Sequence, residues 1–260
     1  MEIINGVIGN LIAALIGALF GYLAKTGWDK YKKVRRSKTI IDFFKVTQSH
    51  TLIIHSAIFD ETRQAYSYAY CDSKVARIIT SLFESVGQKE GEEFTIVPDV
   101  DLLLADGTID PTIMNKNLVL ICSPKRNRIA KHILSKSPKL RYQMEVDETK
   151  GEIVLFDELR QTLLISSQDL QISDKQLHKP ILDGYDYGLI ASMPNPFNLS
   201  RNIVLLAGIH GSGTLGAGMF VGDENSLSEL CHRRKNGVIQ ELIIAKYKGG
   251  AEKVYDTNLA

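Results

Sequence analysis

The glycine-rich segment near the C-terminus is the part of this sequence with the clearest capacity for chemistry. Gly211, Gly213 and Gly216 have the spacing GxGxxG. An apolar run at 202–208 predicts a strand before them, and residues 214–221 predict a helix after them. Glycines let a backbone approach a phosphate, and the N-terminus of a following helix offers amide groups to an anion. The segment therefore predicts contact with a phosphate or nucleotide, made by His210, Gly211, Ser212, Gly213 and Thr214.

Two features of this segment differ from the dinucleotide-binding fingerprint. The motif follows a late strand instead of the first strand of the chain. The next predicted strand, 241–247, does not end in the Asp or Glu that would hold a ribose. The alternative interpretation is a tight glycine turn whose role is to pack the helix against the sheet.

A second candidate loop follows a predicted strand at 117–122 and reads Ser-Pro-Lys-Arg-Asn. Serine and asparagine in this stretch are suited to capping a following helix. Lysine and arginine add positive charge where an anion would lie. We predict ligand contacts by Ser123, Lys125, Arg126 and Asn127. The alternative is ordinary helix capping with solvated charges.

A third predicted strand, 51–58, contains His55 and Ser56 and is followed by Tyr66, Tyr68 and Tyr70. Aromatic side chains stack on nucleobases in some binding sites. They equally pack a β-ribbon, which is the interpretation that we favour for this stretch.

No set of residues has the spacing of a known catalytic motif. The sequence has no GxSxG, no HExxH and no Walker lysine after the glycines. The cysteines, Cys71, Cys122 and Cys231, are scattered and lack metal-ligand spacing. We therefore predict no catalytic residue, no metal and no cofactor.

The N-terminal segment predicts a transmembrane helix at about residues 3 to 24. These 22 residues carry no charge, and as a helix they would span about 33 Å, enough for a bilayer core. Small residues recur every four positions, a pattern that allows close helix–helix packing. An asparagine in the same stretch is less costly facing a partner helix or a pore than facing lipid. The predicted packing residues are Gly9, Asn10, Ala13, Gly17 and Gly21. The alternatives are a simple membrane anchor, since glycine is frequent in membrane helices anyway, and a buried helix of a soluble protein.

Charge is distributed unevenly along the chain. Residues 25–38 contain seven basic residues and one acid, whereas the chain from residue 39 onward has 24 basic against 28 acidic residues. Positive residues stay on the cytoplasmic side of a membrane, so this cluster predicts a cytoplasmic C-terminal domain. The mild acidity of that domain argues against general nucleic-acid binding.

The remaining elements predict an α/β fold, Rossmann-like, with a mostly parallel sheet. The predicted strands are 51–58, 94–98, 117–122, 153–156, 162–166, 187–191, 202–207 and 241–247. The predicted helices are 73–86, 126–136, 214–221 and 224–236. Residues 141–191 contain strands without a strong helix and predict a small β-rich insertion or an antiparallel extension. The predicted domains are a transmembrane helix at 1–25, a basic helical linker at 26–48 and an α/β domain at 49–260.

This arrangement resembles the membrane effectors of bacterial anti-phage systems, which join a transmembrane part to a Rossmann-like sensor of the SLOG, CARF or TIR-like type. The resemblance is architectural, and its sequence basis is the two loops at 123–127 and 208–217. It implies an α/β sensor that reads a nucleotide or oligonucleotide signal, and it transfers no catalytic residue.

The sequence thus predicts an oligomeric membrane effector, a candidate pore or channel, gated by a nucleotide or oligonucleotide second messenger. Its expected partners are the lipid bilayer, further copies of the chain and a protein that synthesises the signal. Its expected location is the inner membrane, with a single pass. The alternative is a membrane-anchored hydrolase or transferase acting on a nucleotide or NAD-like substrate, with His210 or Ser212 as the catalytic residue.

Overall fold

We describe a computed structural model of the 260-residue chain. It describes residues 2–46, 49–60, 65–67, 69–137, 140–147, 152–165, 183–234, 237–248 and 256–259, and for 2–16, 58–60, 65–67, 256–259 and several strand ends the backbone alone. The chain divides into two compact units, residues 1–39 and 40–260.

The described elements alternate between strands and helices in the order expected of an α/β protein. The helices are α1 (Glu2–Phe44), α2 (Tyr70–Ser85), α3 (Arg128–Lys136), α4 (Gly211–Gly222) and α5 (Glu224–His232). The strands are β1 (Thr51–His55), β2 (Ile58–Asp60), β3 (Ala65–Ser67), β4 (Phe94–Pro98), β5 (Asn117–Ile121), β6 (Tyr142–Asp147), β7 (Glu152–Asp157), β8 (Thr162–Leu164), β9 (Asp183–Asn195), β10 (Asn198–Gly208), β11 (Ile239–Lys248) and β12 (Asp256–Leu259). Short 3₁₀ helices cover Asp99–Leu102 and Pro111–Asn115.

A mixed sheet of seven described strands forms the centre of the second unit, in the order β12-β11-β9-β10-β5-β1-β4. Strands β4, β1, β5 and β10 pair in parallel, while β9, β11 and β12 add antiparallel pairs. Strand β11 is antiparallel to β9 and thus runs in the direction of β10. In the described sheet, all strands except β9 and β12 therefore point the same way, as the sequence predicts.

Helices cover both faces of this sheet. Side chains of α2, α4 and α5 share one buried cluster with the end of α1. Side chains of α3 lie in a second cluster, together with residues of β6 and β7. The central strands β1 and β5 are buried along their whole length, which is why they appear in the sequence as continuous apolar runs.

The predicted β-rich insertion is confirmed in its described part. Strands β6, β7 and β8 form a separate antiparallel sheet there, and β9 extends the main sheet in antiparallel fashion. Strand β6 was not predicted, although apolar and polar residues alternate along it, the pattern of a half-buried strand. The predicted end of the last helix at 236 differs from its observed end at His232, and residues 235 and 236 lie outside the described residues.

Helix α1 is continuous from Glu2 to Phe44, so it includes residues 26–44 of the predicted linker. It ends where Lys45 takes the left-handed backbone conformation, with φ at 56°. The predicted transmembrane span at 3–24 is not shown: among the described residues, whose side chains in α1 begin at residue 17, no helix has a stretch long and apolar enough to cross a bilayer. Only the backbone is described at Gly9, Asn10 and Ala13, whereas Gly17 and Gly21 are exposed.

The end of α1 is bound to the amino ends of the central strands. Phe43 and Phe44 are fully buried, and the Phe44 ring meets the Phe83 ring edge-on at 5.1 Å. The Asn117 side chain donates a hydrogen bond to the Lys45 carbonyl at 2.9 Å, and the Asn202 side-chain Nδ2 donates to the Phe43 carbonyl at 3.3 Å. These bonds satisfy carbonyl groups that every helix leaves unpaired at its C-terminus.

Candidate functional site

The two predicted loops meet at one pocket at the carboxyl ends of β5 and β10. The strands are parallel neighbours with Leu206 opposite Ile121, and the Cys122 amide donates to the Leu206 carbonyl at 3.1 Å. The pocket has a volume of about 160 Å³. It is lined by Ala69, Asp72, Cys122, Ser123, Lys125, Arg126, Ile153, Gly208, Ile209, His210, Gly211 and Thr214. This is the strand end at which α/β sheets bind ligands.

The structure brings together most, but not all, of the predicted contact residues. Those that line the pocket are Ser123, Lys125, Arg126, His210, Gly211 and Thr214. Asn127, Ser212 and Gly213 are not among the described lining residues. The reasons lie in the helix that each loop begins.

Asn127 is fully buried, and its side chain bonds within the protein. Its Oδ1 accepts the Ala130 amide at 2.9 Å, and its Nδ2 donates to the Ile121 carbonyl at 3.1 Å. The capping interpretation is therefore confirmed for this residue. Asp99, the first residue of the 3₁₀ helix that follows β4, adds to the cap, since its Oδ2 accepts the Arg128 amide at 3.0 Å.

The N-terminus of α4, where a phosphate was predicted, holds a carboxylate of the protein itself. Oδ2 of Asp186 accepts the Gly213 amide at 2.6 Å and the His210 amide at 3.1 Å. Burial raises the pKa of Asp186 to about 6, while the charge of His210 and the backbone amides oppose that rise. An anionic ligand would compete with this internal carboxylate for the same amide groups.

The motif glycines have a packing role that the structure makes explicit. A Cβ at Gly213 would overlap the Tyr187 carbonyl, and one at Gly216 would lie 2.5 Å from the Ala245 Cβ. Helix α4 therefore rests directly on β9 and β11. Gly211 is the motif glycine that lines the pocket, and a Cβ there would meet the Cys71 Sγ at 3.1 Å. The packing interpretation thus accounts for Gly213 and Gly216.

Asp72 places a buried carboxyl group on the pocket wall. It lies in the first turn of α2 and is 1% exposed. Its Oδ2 accepts a hydrogen bond from the equally buried Ser56 hydroxyl at 2.7 Å. Burial raises the pKa of Asp72, and hydrogen bonds from Ser56 and Cys122 act in the opposite direction. Asp72 offers the pocket a hydrogen-bond acceptor.

Cys122 has a strained backbone at the centre of this site. Its φ is 89°, in a region that residues other than glycine rarely adopt. Strain of this kind concentrates at functional sites. Burial, reinforced by the charge of Asp72, raises the pKa of the thiol to about 12. The thiol therefore stays protonated at neutral pH and is a poor nucleophile.

Basic charge lies at the edge of the pocket. Lys125 and Arg126 are exposed, in contrast to the buried Ser123 and Asp72. The site thus combines exposed cations, which remain in contact with water, with a buried carboxyl group. It is suited to bind a molecule with an anionic part and a hydrogen-bond-donating part.

Three residues of the site were not predicted as contacts. Asp72 and Cys122 were present in the sequence beside predicted elements, at a helix start and at the last position of a strand. No local sequence pattern marks Asp186 as part of the site, since it lies on β9, 27 residues before Gly213. The side chains of Tyr66 and Tyr68 lie outside the described residues, and Tyr70 is exposed.

We compared the chain with protein-family models and with curated proteins. No family model matches it, and no curated protein matches it with significance.

Proposed function

We propose that the second unit binds a nucleotide or oligonucleotide signal in the pocket between the β5 and β10 loops. The convergence of the two loops on one pocket carries this proposal. Lys125 and Arg126 supply charge for the phosphates, and charge-assisted hydrogen bonds of this kind are the strong ones. In this proposal the chain acts as an oligomeric membrane effector in anti-phage defence, supplied with its signal by a synthesising partner protein.

The membrane part of the proposal rests on the first unit. Residues 3–24 are uncharged and are followed by the basic cluster. Trp28 and Tyr31 are each more than half exposed, with stacked rings 5.8 Å apart, as suits residues at a membrane interface. We propose that this helix spans the inner membrane once and associates with copies of itself, as a candidate pore.

Strands β5 and β10 offer a route from the pocket to the helix end. Side chains at or near their amino ends, those of Asn117 and Asn202, donate hydrogen bonds to carbonyl groups at and just after the end of α1. At their carboxyl ends, Cys122 and Gly208 line the pocket. A ligand that shifts these strands would act on the bonds that fix residues 43–45.

Replacing Arg126 by alanine is expected to weaken ligand binding about tenfold. This is the lower end of the about 1.5–3 kcal/mol that a hydrogen bond to a charged group contributes, because Arg126 is exposed to water. Lys125→Ala should have a similar effect. The measurement is native mass spectrometry and calorimetry of the full-length protein in detergent, with 5′-monophosphates and cyclic dinucleotides of the four ribonucleosides as probes.

Arg128→Ala is the matched control, since Arg128 is an exposed arginine two residues away that does not line the described pocket. It should change affinity less than twofold. Equal losses in Arg126→Ala and Arg128→Ala, or no binding of any probe to the unmodified protein, would overturn the proposal.

Substituting both Gly17 and Gly21 by leucine is expected to reduce oligomer formation in detergent. Among the described residues, nothing lies within 4 Å of a Cβ built at either glycine, so packing within the described chain does not require them. Close packing against a second helix would require small residues at these two positions. Gly27→Leu on the same helix, also open and outside the four-residue repeat, is the control. Particle mass and symmetry give the readout, and a strictly monomeric unmodified protein contradicts the proposal.

The alternative is a membrane-anchored hydrolase or transferase for a nucleotide or NAD-like substrate. The observation in its favour is that His210 lines the pocket and donates its backbone amide to the buried Asp186 carboxyl group. Ser212 does not line the described pocket, which leaves His210 as the candidate base. Turnover of NAD or a nucleotide by the full-length protein, lost in His210→Ala, would replace the sensor proposal with this one.

A further inference from the structure

The pocket is polarised between its wall and its rim. Asp72 and Ser56 are each 1% exposed and hydrogen-bonded to one another, whereas Lys125 and Arg126 are exposed to water. A phosphate pushed into the pocket would approach the Asp72 carboxylate and leave the water-exposed cations. Coulomb repulsion between like charges is strongest where water is excluded.

Internal carboxyl groups already engage amides at both helix N-termini. The Gly213 amide of α4 and the His210 amide just before it donate to Asp186, and the Arg128 amide of α3 donates to Asp99. Both carboxyl groups are fully buried, at 0% and 1% exposure. The positive end of each helix dipole is therefore matched by an internal anion.

The size of the pocket also indicates that part of a nucleotide stays outside it. Its volume of about 160 Å³ is below the roughly 300–1,000 Å³ of sites that enclose a whole small-molecule ligand. It is sufficient for part of a nucleotide, while the rest stays outside.

We infer that the pocket encloses the uncharged, hydrogen-bond-donating nucleoside part of the ligand against Asp72, and that the phosphates lie outside it over Lys125 and Arg126. This orientation is the reverse of the one predicted by the glycine motif, and it rests on the proposed function. Asp72 is then a specificity residue: it accepts a hydrogen bond from a sugar hydroxyl or from an amino group of the base.

The test compares ribonucleosides, their 2′-deoxy forms, their 5′-monophosphates and inorganic phosphate as competitors for a bound nucleotide on the full-length protein. At least one ribonucleoside should compete with an affinity within about a hundredfold of that of its monophosphate, because Lys125 and Arg126 are each expected to contribute about tenfold to phosphate binding. Inorganic phosphate should not compete. Loss of competition on removing the 2′-hydroxyl would assign the donor to the ribose, and retention would assign it to the base or another hydroxyl.

Asp72→Asn gives the sharper result, because the amide oxygen keeps an acceptor for Ser56 and the substitution is isosteric. We expect it to weaken the binding of nucleosides and of nucleotides alike by about tenfold. Lys125→Ala, in contrast, should weaken the binding of nucleotides and leave the binding of nucleosides unchanged. Tighter nucleotide binding in Asp72→Asn would place a phosphate beside residue 72 and overturn the inference.

The two proposals fail in different ways. If nucleotides bind while nucleosides do not compete and inorganic phosphate does, the inferred orientation is wrong and nucleotide sensing stands. If no nucleoside or nucleotide binds, the proposed function is wrong and the orientation falls with it. Should Asp72→Asn lower the melting temperature, Ser56→Ala removes the hydrogen bond that positions the Asp72 carboxyl group without changing charge. Unchanged nucleoside affinity in both variants rejects the role of Asp72.

Discussion

Replacing Asp186 by alanine is expected to destabilise the second unit by about 3–5 kcal/mol, because each buried donor left without an acceptor costs about 1–3 kcal/mol. Oδ2 of Asp186 accepts the amides of Gly213 and His210, and its Oδ1 accepts the Tyr187 amide at 2.9 Å. Asp186 is 0% exposed, so water does not replace it without opening the site. Urea denaturation followed by circular dichroism measures the loss.

Asp223→Ala is the matched control for this experiment. Asp223 also accepts a first-turn amide, that of Ser226 at 2.9 Å, but it does so at the exposed start of α5. Water solvates the freed amide there, and loss of an N-cap of this kind costs about 1 kcal/mol. Equal destabilisation by the two substitutions would mean that the Asp186 carboxylate does not serve as the buried acceptor at the start of α4.

The pH dependence of the same variant has a definite sign. Burial raises the pKa of Asp186 to about 6, above the roughly 3.9 of an unfolded aspartate. Folding then takes up a proton, so the contribution of Asp186 to stability is fullest below pH 4 and declines as the pH rises through 6. The difference in unfolding free energy between the unmodified protein and Asp186→Ala should therefore narrow from pH 4 to pH 7. A gap that widens over this range would show that the folded-state pKa is lowered instead.

The role of Asp186 explains why the sequence predicted an anion site at the start of α4. The glycines, the preceding strand and the following helix are local features, and each was predicted correctly from neighbouring residues. The acceptor that fills the helix N-terminus comes from β9, and only the paired sheet brings it there. A single sequence contains no signal for a contact formed by tertiary packing across 24 to 27 residues.

Elements with strong apolar patterns were predicted well for the opposite reason. Strand β4 matches its predicted bounds, and β5 and α3 agree to within two residues, since burial of a continuous or periodic apolar face is written into the local sequence. Strand β9 is much longer than predicted, at Asp183–Asn195. Its ends contain glycine, aspartate and proline, whose low strand propensity is overridden by pairing with β10 and β11.

Gly213→Ala is expected to destabilise the unit by roughly 3 kcal/mol or more, beyond the usual 1–3 kcal/mol of an overpacked core site. A Cβ at this position would overlap the Tyr187 backbone carbonyl and lie 2.9 Å from the Asp186 Oδ2. Neither group can move aside easily. Tyr187 belongs to β9, which is paired on both sides, and the Asp186 carboxyl group is held by hydrogen bonds to the start of α4. Helix α4 would have to lift from the sheet, and thermal and urea denaturation would record the change.

Gly222→Ala at the other end of α4 is the control for this substitution. Its Cβ would meet the Cγ2 of Ile78 at 2.8 Å, a side-chain atom that can move, and alanine gains about 1 kcal/mol of helix propensity over glycine. The two effects nearly cancel, so its stability should stay within about 1 kcal/mol of the unmodified protein. The pair also separates the two interpretations of the motif. If Gly213 were kept free of a side chain for a phosphate, Gly213→Ala would lose ligand binding and keep its melting temperature, whereas packing on β9 requires the melting temperature itself to fall.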